Sequence, residues 1–184
     1  MMKKKLILTI LILPFLLLYC SKDSEEKSVS AETSHKKSMV KWYSFNEGTA
    51  LAKKTKKQLI IDFYADWCKW CRVMEETTFS DSAVAGELSK NFISVRIYTD
   101  RPDTEKINFR GDSYSSQEFS SALGIEGLPT VIFMDEDGNL ITKIPGFVDK
   151  TILLPVLGYM NKRCYKQKIN ITDYVKGKTP CDAK

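Results

Sequence analysis

A cysteine pair placed directly after a buried-strand pattern constrains the fold of this chain more than any other feature. Residues 59–65 form a nearly continuous apolar run of strand length that contains one acid, Asp62. Such a run is typical of a strand covered on both faces, so Asp62 is expected to be a buried charge. The run leads into residues 68–71, Cys-Lys-Trp-Cys, whose residue types allow a helix starting near Cys68. The pattern therefore predicts two cysteines on a first helical turn, where unpaired backbone N–H groups favour a thiolate.

The other apolar segments alternate between helical and strand patterns. Helices are expected over about 45–57, 83–88, 116–123 and 149–161, and strands over 92–98, 130–134 and 140–144. A polar loop containing Gly138 separates the last two strands, which predicts a β-hairpin. Alternating helices and strands followed by a hairpin predict an α/β fold in which helices flank a central mixed β-sheet.

The first 20 residues have the pattern of an export signal. Three lysines precede the 14-residue apolar run 6–19, which is shorter than the roughly 20 residues that span a membrane. The run ends in Leu17-Leu18-Tyr19-Cys20, which resembles the lipobox of bacterial lipoproteins. This resemblance implies that residues 1–19 are a signal peptide and that Cys20 is lipidated. Tyr19 stands where a small residue is usual, so an uncleaved signal anchor or an incidental cysteine remains the alternative.

A flexible tether and one folded domain are expected to follow. Residues 20–38 are rich in Ser, Lys and Glu and bury too little apolar surface to offset the entropy of ordering. Residues 39–162 suffice for one domain, which leaves 163–184 as a C-terminal tail. The net charge of +5 includes the N-terminal lysines, and the other charges alternate in sign. A nucleic-acid-binding surface is therefore not expected.

Two segments carry a resemblance to a known family. Residues 61–71 resemble the strand and helix of the thioredoxin active site, and residues 127–130, Gly-Leu-Pro-Thr, resemble the cis-proline segment of that family. Residues 78–84 are similar to the exported thioredoxin-like domains of the thiol:disulfide interchange protein DsbD type. The resemblance covers about residues 40–160 and implies the thioredoxin fold.

The resemblance also implies roles for the matching residues. Cys68 is expected to attack the client disulfide, and Cys71 is expected to resolve the mixed disulfide. Asp62 matches the buried acid that assists proton transfer, and Arg96 lies at or near the position of the lysine that accompanies this acid. Four further residues are expected to bind substrate: Trp67, Trp70, Leu128 and Pro129.

The sequence departs from thioredoxins at two places. Lys69 and Trp70 stand between the cysteines where thioredoxin has Gly-Pro. The polar segment 101–115 lengthens the connection before the proline, and it is expected to be either a surface insertion or a substrate-facing loop.

Other uses of the cysteines fit the sequence less well. A zinc site usually needs four ligands, and Cys164, Cys181 and His35 lack the spacing to complete one. Haem attachment would require a histidine at position 72, which is Arg72. No nucleotide, metal or flavin motif is visible, so no cofactor is expected. Cys164 and Cys181 are expected to form a structural disulfide, with an electron-relaying second pair as the alternative.

These observations together predict an exported, membrane-tethered thiol-disulfide oxidoreductase of the bacterial cell envelope. The expected activity is reduction of client protein disulfides on the periplasmic side, with electrons drawn from a membrane thiol reductase. Two alternatives remain open: a disulfide oxidase or isomerase, and a binding lipoprotein that uses the same fold as a scaffold with little turnover.

Overall fold

The computed structural model describes residues 39–103 and 105–182. The sequence predictions of a signal peptide over 1–19, of lipidation at Cys20 and of a tether over 20–38 lie outside these residues. The described helices are α1 (Phe45–Thr55), α2 (Lys69–Met74), α3 (Ser82–Asn91), α4 (Ser116–Ala122), α5 (Lys150–Asn161) and α6 (Ile171–Val175). The described strands are β1 (Gln58–Tyr64), β2 (Phe92–Tyr98), β3 (Ile107–Phe109), β4 (Asp112–Tyr114), β5 (Thr130–Met134) and β6 (Leu140–Pro145).

Four strands form one mixed sheet in the order β2-β1-β5-β6. Strand β1 runs parallel to β2 and antiparallel to β5, and β5 and β6 form the predicted hairpin. A parallel pair needs a long crossover connection, and the helical segment between β1 and β2 supplies it. This arrangement confirms the predicted α/β fold with a central mixed sheet.

The alternation of side chains along β1 divides the core into two layers. Ile60 faces α3 and α5, where it packs among buried residues that include Leu88 and Leu157. Ile61 and Phe63 face the opposite side and pack against α1 and α4. Because successive strand residues point to opposite faces, the continuous apolar pattern of β1 requires helices on both sides of the sheet.

Side-chain caps explain where the helices begin. Ser44 and Ser115 form reciprocal capping boxes with Glu47 and Glu118. At the start of α5, the Asp149 carboxylate accepts hydrogen bonds from two backbone N–H groups. Such caps satisfy N–H groups that have no partner within the helix.

Among residues 39–103 and 105–182, every helix is too short or too polar to span a lipid bilayer.

The segment between β2 and α4 contains a short hairpin that the sequence analysis did not predict. Strands β3 and β4 pair with each other and not with the main sheet. The Phe109 ring lies 5.9 Å from the Phe45 ring and 5.3 Å from the Phe119 ring, measured between centroids. Apolar contacts with α1 and α4 thus hold a segment whose sequence is mostly polar.

The C-terminal tail packs along α5. The Tyr159 hydroxyl donates a hydrogen bond to the carbonyl of Ile169 at 2.7 Å, and its ring makes an edge contact with Tyr174 of α6. Cys164 and Cys181 are buried and their sulfurs are joined at 1.99 Å. The disulfide therefore closes a loop and fastens the end of the tail to Cys164, which lies just after α5.

Candidate active site

The two cysteines of the Cys-x-x-Cys segment lie where β1 ends and α2 begins. The Cys68 N–H donates to the carbonyl of Ala65 at 3.1 Å, which forms the turn between strand and helix. Cys68 is the N-cap of α2, and its Sγ accepts a hydrogen bond from the Cys71 N–H at 3.1 Å. The two sulfurs are bonded at 2.09 Å, and both residues are buried. The cysteine pair is thus in its disulfide form, and a backbone N–H donates a hydrogen bond to the Cys68 sulfur.

The neighbouring basic side chains make their contacts elsewhere. The Arg72 guanidinium donates to the carbonyl of Asp66, and Lys69 Nζ lies 6.0 Å from the centre of the Trp70 ring. Neither contact is to a sulfur. The hydrogen-bond donor to Cys68 Sγ is therefore the Cys71 N–H. This N–H is available because α2 begins at the residue after Cys68, so the N–H groups of its first turn have no partner within the helix.

Asp62, Arg96 and Glu75 form a buried ion cluster beneath the helix. Asp62 and Arg96 are register partners in the β1–β2 pair, and Arg96 Nε donates to the Asp62 carboxylate at 2.9 Å. The other side of the guanidinium donates to the carboxylate of Glu75. Side chains of Asp62 and Arg96 are only 2% and 6% exposed, so this pairing is what makes their burial tolerable.

Aromatic rings complete the surroundings of the Arg96 guanidinium. Its central carbon lies 4.0 Å from the centroid of the Trp42 ring and 4.8 Å from that of Tyr64. Ring faces attract a guanidinium group and keep water away from it. The cation is therefore held between two carboxylates and two aromatic rings.

The environment shifts the protonation of Asp62. Burial raises the pKa of this carboxyl from 3.8 to about 6, because loss of water disfavours the charged form. Arg96 opposes that shift through its charge and hydrogen bond, and the nearby negative charge of Glu75 adds to it. A buried acid with a pKa near neutral pH suits the exchange of a proton with a thiol.

Sequence analysis identified Asp62 and Arg96 but missed Glu75. Glu75 lies four residues after Cys71, so helical spacing places both on the same face. That spacing was a usable signal. It was obscured because Glu75 begins a π-helical turn, Glu75–Phe79, whose position depends on packing beneath the helix.

The segment around Pro129 lies against the cysteines. Thr130 pairs with Phe63 near the end of β1, which places Pro129 beside the residues that lead into the Cys-x-x-Cys turn. The Leu128–Pro129 peptide bond is cis, and Leu128 packs against Ala65 and both cysteines. The structure therefore brings two segments together that lie about 60 residues apart in the sequence.

Both tryptophans of the motif are exposed beside the buried cysteines. Trp67 is 71% exposed and Trp70 is 55% exposed. The Trp70 ring lies 5.5 Å, between centroids, from Phe147, which the sequence analysis did not single out. Trp70 and Phe147 thus form a contiguous exposed apolar patch, and such patches often mark interaction sites.

The second disulfide lies at the opposite end of β1 from the first. The Gln58 side-chain amide donates to the carbonyl of Met160 at 2.8 Å, so the end of α5 lies at the start of β1. Seven residues of strand span roughly 20 Å at about 3.3 Å per residue. Thiol-disulfide exchange requires contact between sulfurs. The two disulfides therefore do not contact each other within the folded chain, and the alternative of an electron-relaying second pair stays a prediction.

A metal site would need a cluster of histidine, cysteine or acidic side chains. In the part of the chain that the structure describes, no cluster of three or more such residues occurs. His35 lies outside that part. The acids nearest to the cysteine pair are engaged with Arg96 and Arg101.

Comparisons with known proteins agree with this geometry. The family model of the thioredoxin-like domain matches residues 45–161. The thiol:disulfide interchange protein DsbD of Vibrio vulnificus is 34% identical over 132 residues, which cover 71% of this chain and 20% of that protein. The chain thus spans about a fifth of the length of the curated relatives that it matches first.

Two solved structures share the fold. A thioredoxin-fold protein from Helicobacter pylori gives a TM-score of 0.59 at 17% identity, covering 67% of this chain and 85% of that one. A thioredoxin from Thermus thermophilus gives 0.54 at 22% identity, covering 66% and 87%. Because the family model covers more than half of the chain, the chain belongs to the thioredoxin-like family, and its Cys68–Cys71 pair supports its assignment to the thiol-disulfide oxidoreductases.

Proposed function

We propose that this chain reduces disulfides of client proteins in the bacterial cell envelope, where its N-terminal segment attaches it to a membrane. The observation that carries the proposal is the Cys68–Cys71 disulfide between β1 and α2, facing the cis Leu128–Pro129 segment. The name of the DsbD relatives, thiol:disulfide interchange proteins, supports the same chemistry. Attachment rests on the pattern of residues 1–20.

Reduction proceeds through two exchanges of sulfur bonds. In the reduced protein, the Cys68 thiolate attacks one sulfur of the client disulfide, which forms a mixed disulfide and releases the other client sulfur as a thiolate. Cys71 then loses its proton and attacks Cys68 Sγ, which forms the Cys68–Cys71 bond and releases the second client thiolate. Two electrons pass to the client, and the two client thiolates take up two protons: one that Cys71 gave up and one from solvent, which replaces the proton that Cys68 lost when it formed the thiolate.

The buried ion cluster supports the second exchange. Cys71 is enclosed and needs a base before it can attack. Asp62 lies on the face of β1 that is covered by the helical segment carrying Cys71, and its raised pKa, about 6, leaves it mostly ionised above neutral pH. Asp62 therefore accepts the Cys71 proton, and Arg96 and Glu75 position it.

The exposed rim supports client binding. Trp67 and Trp70 offer broad aromatic surfaces beside the cysteines. Leu128, from the proline segment, packs against the cysteine pair. Pro129 shapes the adjacent backbone. These contacts orient a client disulfide for in-line attack by Cys68 and exclude water from the exchange.

The oxidised chain needs a source of electrons before the next turnover. In this proposal a membrane thiol reductase supplies the two electrons, by attacking the Cys68–Cys71 disulfide with its own dithiol.

The first test is the reduction potential of the Cys68–Cys71 couple. The purified full chain is equilibrated with dithiothreitol or glutathione buffers, and Cys164–Cys181 is followed separately by mass spectrometry. A potential of about −230 mV or lower is expected for a reductase. A value near −120 mV would instead support an oxidase or isomerase, and absence of a reversible couple would support the scaffold alternative.

A trapping experiment assigns the roles of the two cysteines. The Cys71→Ser variant is expected to accumulate mixed disulfides with client peptides, because the resolving step is blocked, whereas Cys68→Ser is expected to accumulate none. The matched control is the double variant Cys164→Ser/Cys181→Ser, which should still form and release mixed disulfides. Equal trapping by Cys68→Ser and Cys71→Ser would contradict the assignment.

A further inference from the structure

Phe147 lies at a fixed position beside the cis-proline segment. The antiparallel pairing of β5 and β6 joins Thr130 with Pro145, and one step further the Gly146 N–H donates to the Pro129 carbonyl at 2.9 Å. Gly146 has φ of +85°, a backbone conformation that favours glycine. The chain therefore turns immediately after this bond and presents the next residue, Phe147, at the rim of the site.

The other side of Phe147 is also anchored. The buried Thr78 hydroxyl donates to the carbonyl of Val148 at 2.9 Å, and the Val148 side chain is buried in the core beneath α3 and α5. Phe147 is thus bracketed by a backbone hydrogen bond on one side and by a buried contact on the other. A backbone segment held in this way loses little conformational freedom when its side chain binds a partner.

The exposed aromatic residues cluster at this rim. Among residues 39–103 and 105–182, the large apolar side chains that remain exposed include three aromatic ones: Trp67, Trp70 and Phe147. Phe147 is 38% exposed, and its ring is tilted by 49° to that of Trp70 at a centroid distance of 5.5 Å. Two rings from elements far apart in the sequence therefore form one open apolar surface next to Cys68.

We propose that the Trp70–Phe147 surface makes Phe147 a specificity residue, which selects client segments carrying an aromatic or long aliphatic side chain beside the reacting cysteine. The inference rests on the proposed function, since a client disulfide that reaches Cys68 must bring its flanking residues against this surface. The occupant is a polypeptide segment because both rings lie beside the cysteine pair and remain open to solvent. A client side chain that covers them buries apolar area and gains an edge or stacked ring contact.

The test uses two peptides that contain the same disulfide loop and differ at one residue beside the reacting cysteine, Phe or Ser. The reduced full chain is mixed with each peptide, and the second-order rate constant of oxidation is followed by tryptophan fluorescence. The Phe147→Ala variant is expected to react about five- to tenfold more slowly with the Phe peptide and within about twofold of the unchanged chain with the Ser peptide.

Two further variants separate specificity from folding. Phe147→Trp keeps an aromatic ring and is expected to retain the preference for the Phe peptide. Leu140→Ala removes an apolar side chain of similar exposure from the far end of β6 and is expected to change neither rate constant. Equal slowing of both peptides by Phe147→Ala, or no slowing, would overturn the proposal.

Binding without chemistry distinguishes this inference from the proposed function. Both peptides are also made with their cysteines replaced by serine and titrated against the full chain, while the indole N–H resonances of Trp67 and Trp70 are followed by NMR. A several-fold tighter binding of the Phe peptide that Phe147→Ala abolishes supports the surface even if no disulfide is reduced. Equal binding of the two peptides counts against the surface even if reduction proceeds.

Discussion

Asp62 is a carboxyl group whose titration the fold changes. Burial raises its pKa from 3.8 to about 6, so the folded protein binds this proton more tightly than the unfolded chain does. The contribution of Asp62 to stability is therefore fully present below about pH 4 and is lost as the pH rises through about 6. This sign is opposite to that of a surface carboxylate in an ion pair, whose folded-state pKa is depressed.

Comparison with Asp62→Asn isolates this contribution. The free energy of unfolding of the unchanged chain, minus that of the variant, is expected to fall by about 2 kcal/mol between pH 4 and pH 7.5, since each pKa unit corresponds to about 1.4 kcal/mol and part of the effect is already lost at pH 4. Denaturant unfolding of the oxidised proteins across this range measures the difference. A difference that does not change with pH would show that Asp62 titrates normally.

Arg96 compensates two buried acids, so its loss should be severe. Arg96→Met leaves Asp62 and Glu75 without their cation and is expected to lower the free energy of unfolding at pH 7 by about 3–5 kcal/mol. Part of the loss should be recovered near pH 5, where Asp62, whose pKa burial raises to about 6, takes up a proton. The control is Arg101→Met, which breaks an ion pair with Asp66 that is about half exposed, and it should cost less than about 1 kcal/mol. Similar losses in both variants would contradict this account of the cluster.

At the scale of elements, the packing of α1 on β2 depends on a glycine. A Cβ atom at Gly48 would lie 2.3 Å from Cγ2 of Val95, a buried methyl group in the sheet. Helix α1 approaches the strand closely because position 48 has no side chain. The helix would have to move away from the sheet to accommodate one.

Gly48→Ala is therefore expected to lower the free energy of unfolding by about 1–3 kcal/mol through overpacking. Gly86→Ala is the matched control: Gly86 lies within α3, and a Cβ atom there would meet nothing within 4 Å. That variant should gain up to about 1 kcal/mol, because alanine favours the helix over glycine. Denaturant unfolding measures both changes. Stabilisation by both substitutions would show that α1 adapts freely.

At the scale of the whole molecule, the two disulfides lie at opposite ends of the domain. The Cys164–Cys181 bond closes a loop with a sequence separation of 17 and holds α6 against α5. Replacing both cysteines with serine is expected to cost about 3 kcal/mol, the value of the chain-entropy model for a loop of this size. Hydrogen exchange should accelerate in residues 164–182 before it does in β1.

The same double variant tests the independence of the two ends. Its Cys68–Cys71 reduction potential should stay within about 10 mV of the unchanged value, since roughly 20 Å of strand separates the pairs. Redox titration of the full chain with and without Cys164 and Cys181 measures this. A shift of tens of millivolts would show that the tail influences the active pair.

The sequence by itself determined the architecture and the place of the reactive pair. The bounds of β2 and β5 match the prediction, and the predicted strand over 59–65 appears as β1, Gln58–Tyr64. These elements were predictable because strand-length apolar runs and the residue types of a first helical turn act over a few neighbouring residues. The predicted fold and family are confirmed. The roles assigned to Asp62, Pro129 and the cysteines stay predictions that the geometry supports.

Only the tertiary structure decided which distant residues meet. Glu75 reads in the sequence as an ordinary surface charge, and it becomes a partner of Arg96 because a π-helical turn places its carboxylate beside the paired strands β1 and β2. Phe147 reads as a loop residue, and it reaches Trp70 because the hairpin of β5 and β6 ends beside the cis-proline. Such contacts depend on strand register and on how helices pack on the sheet, which many residues determine together. A local pattern such as the Cys71–Glu75 spacing can indicate a shared helix face, but it does not identify the distant partner.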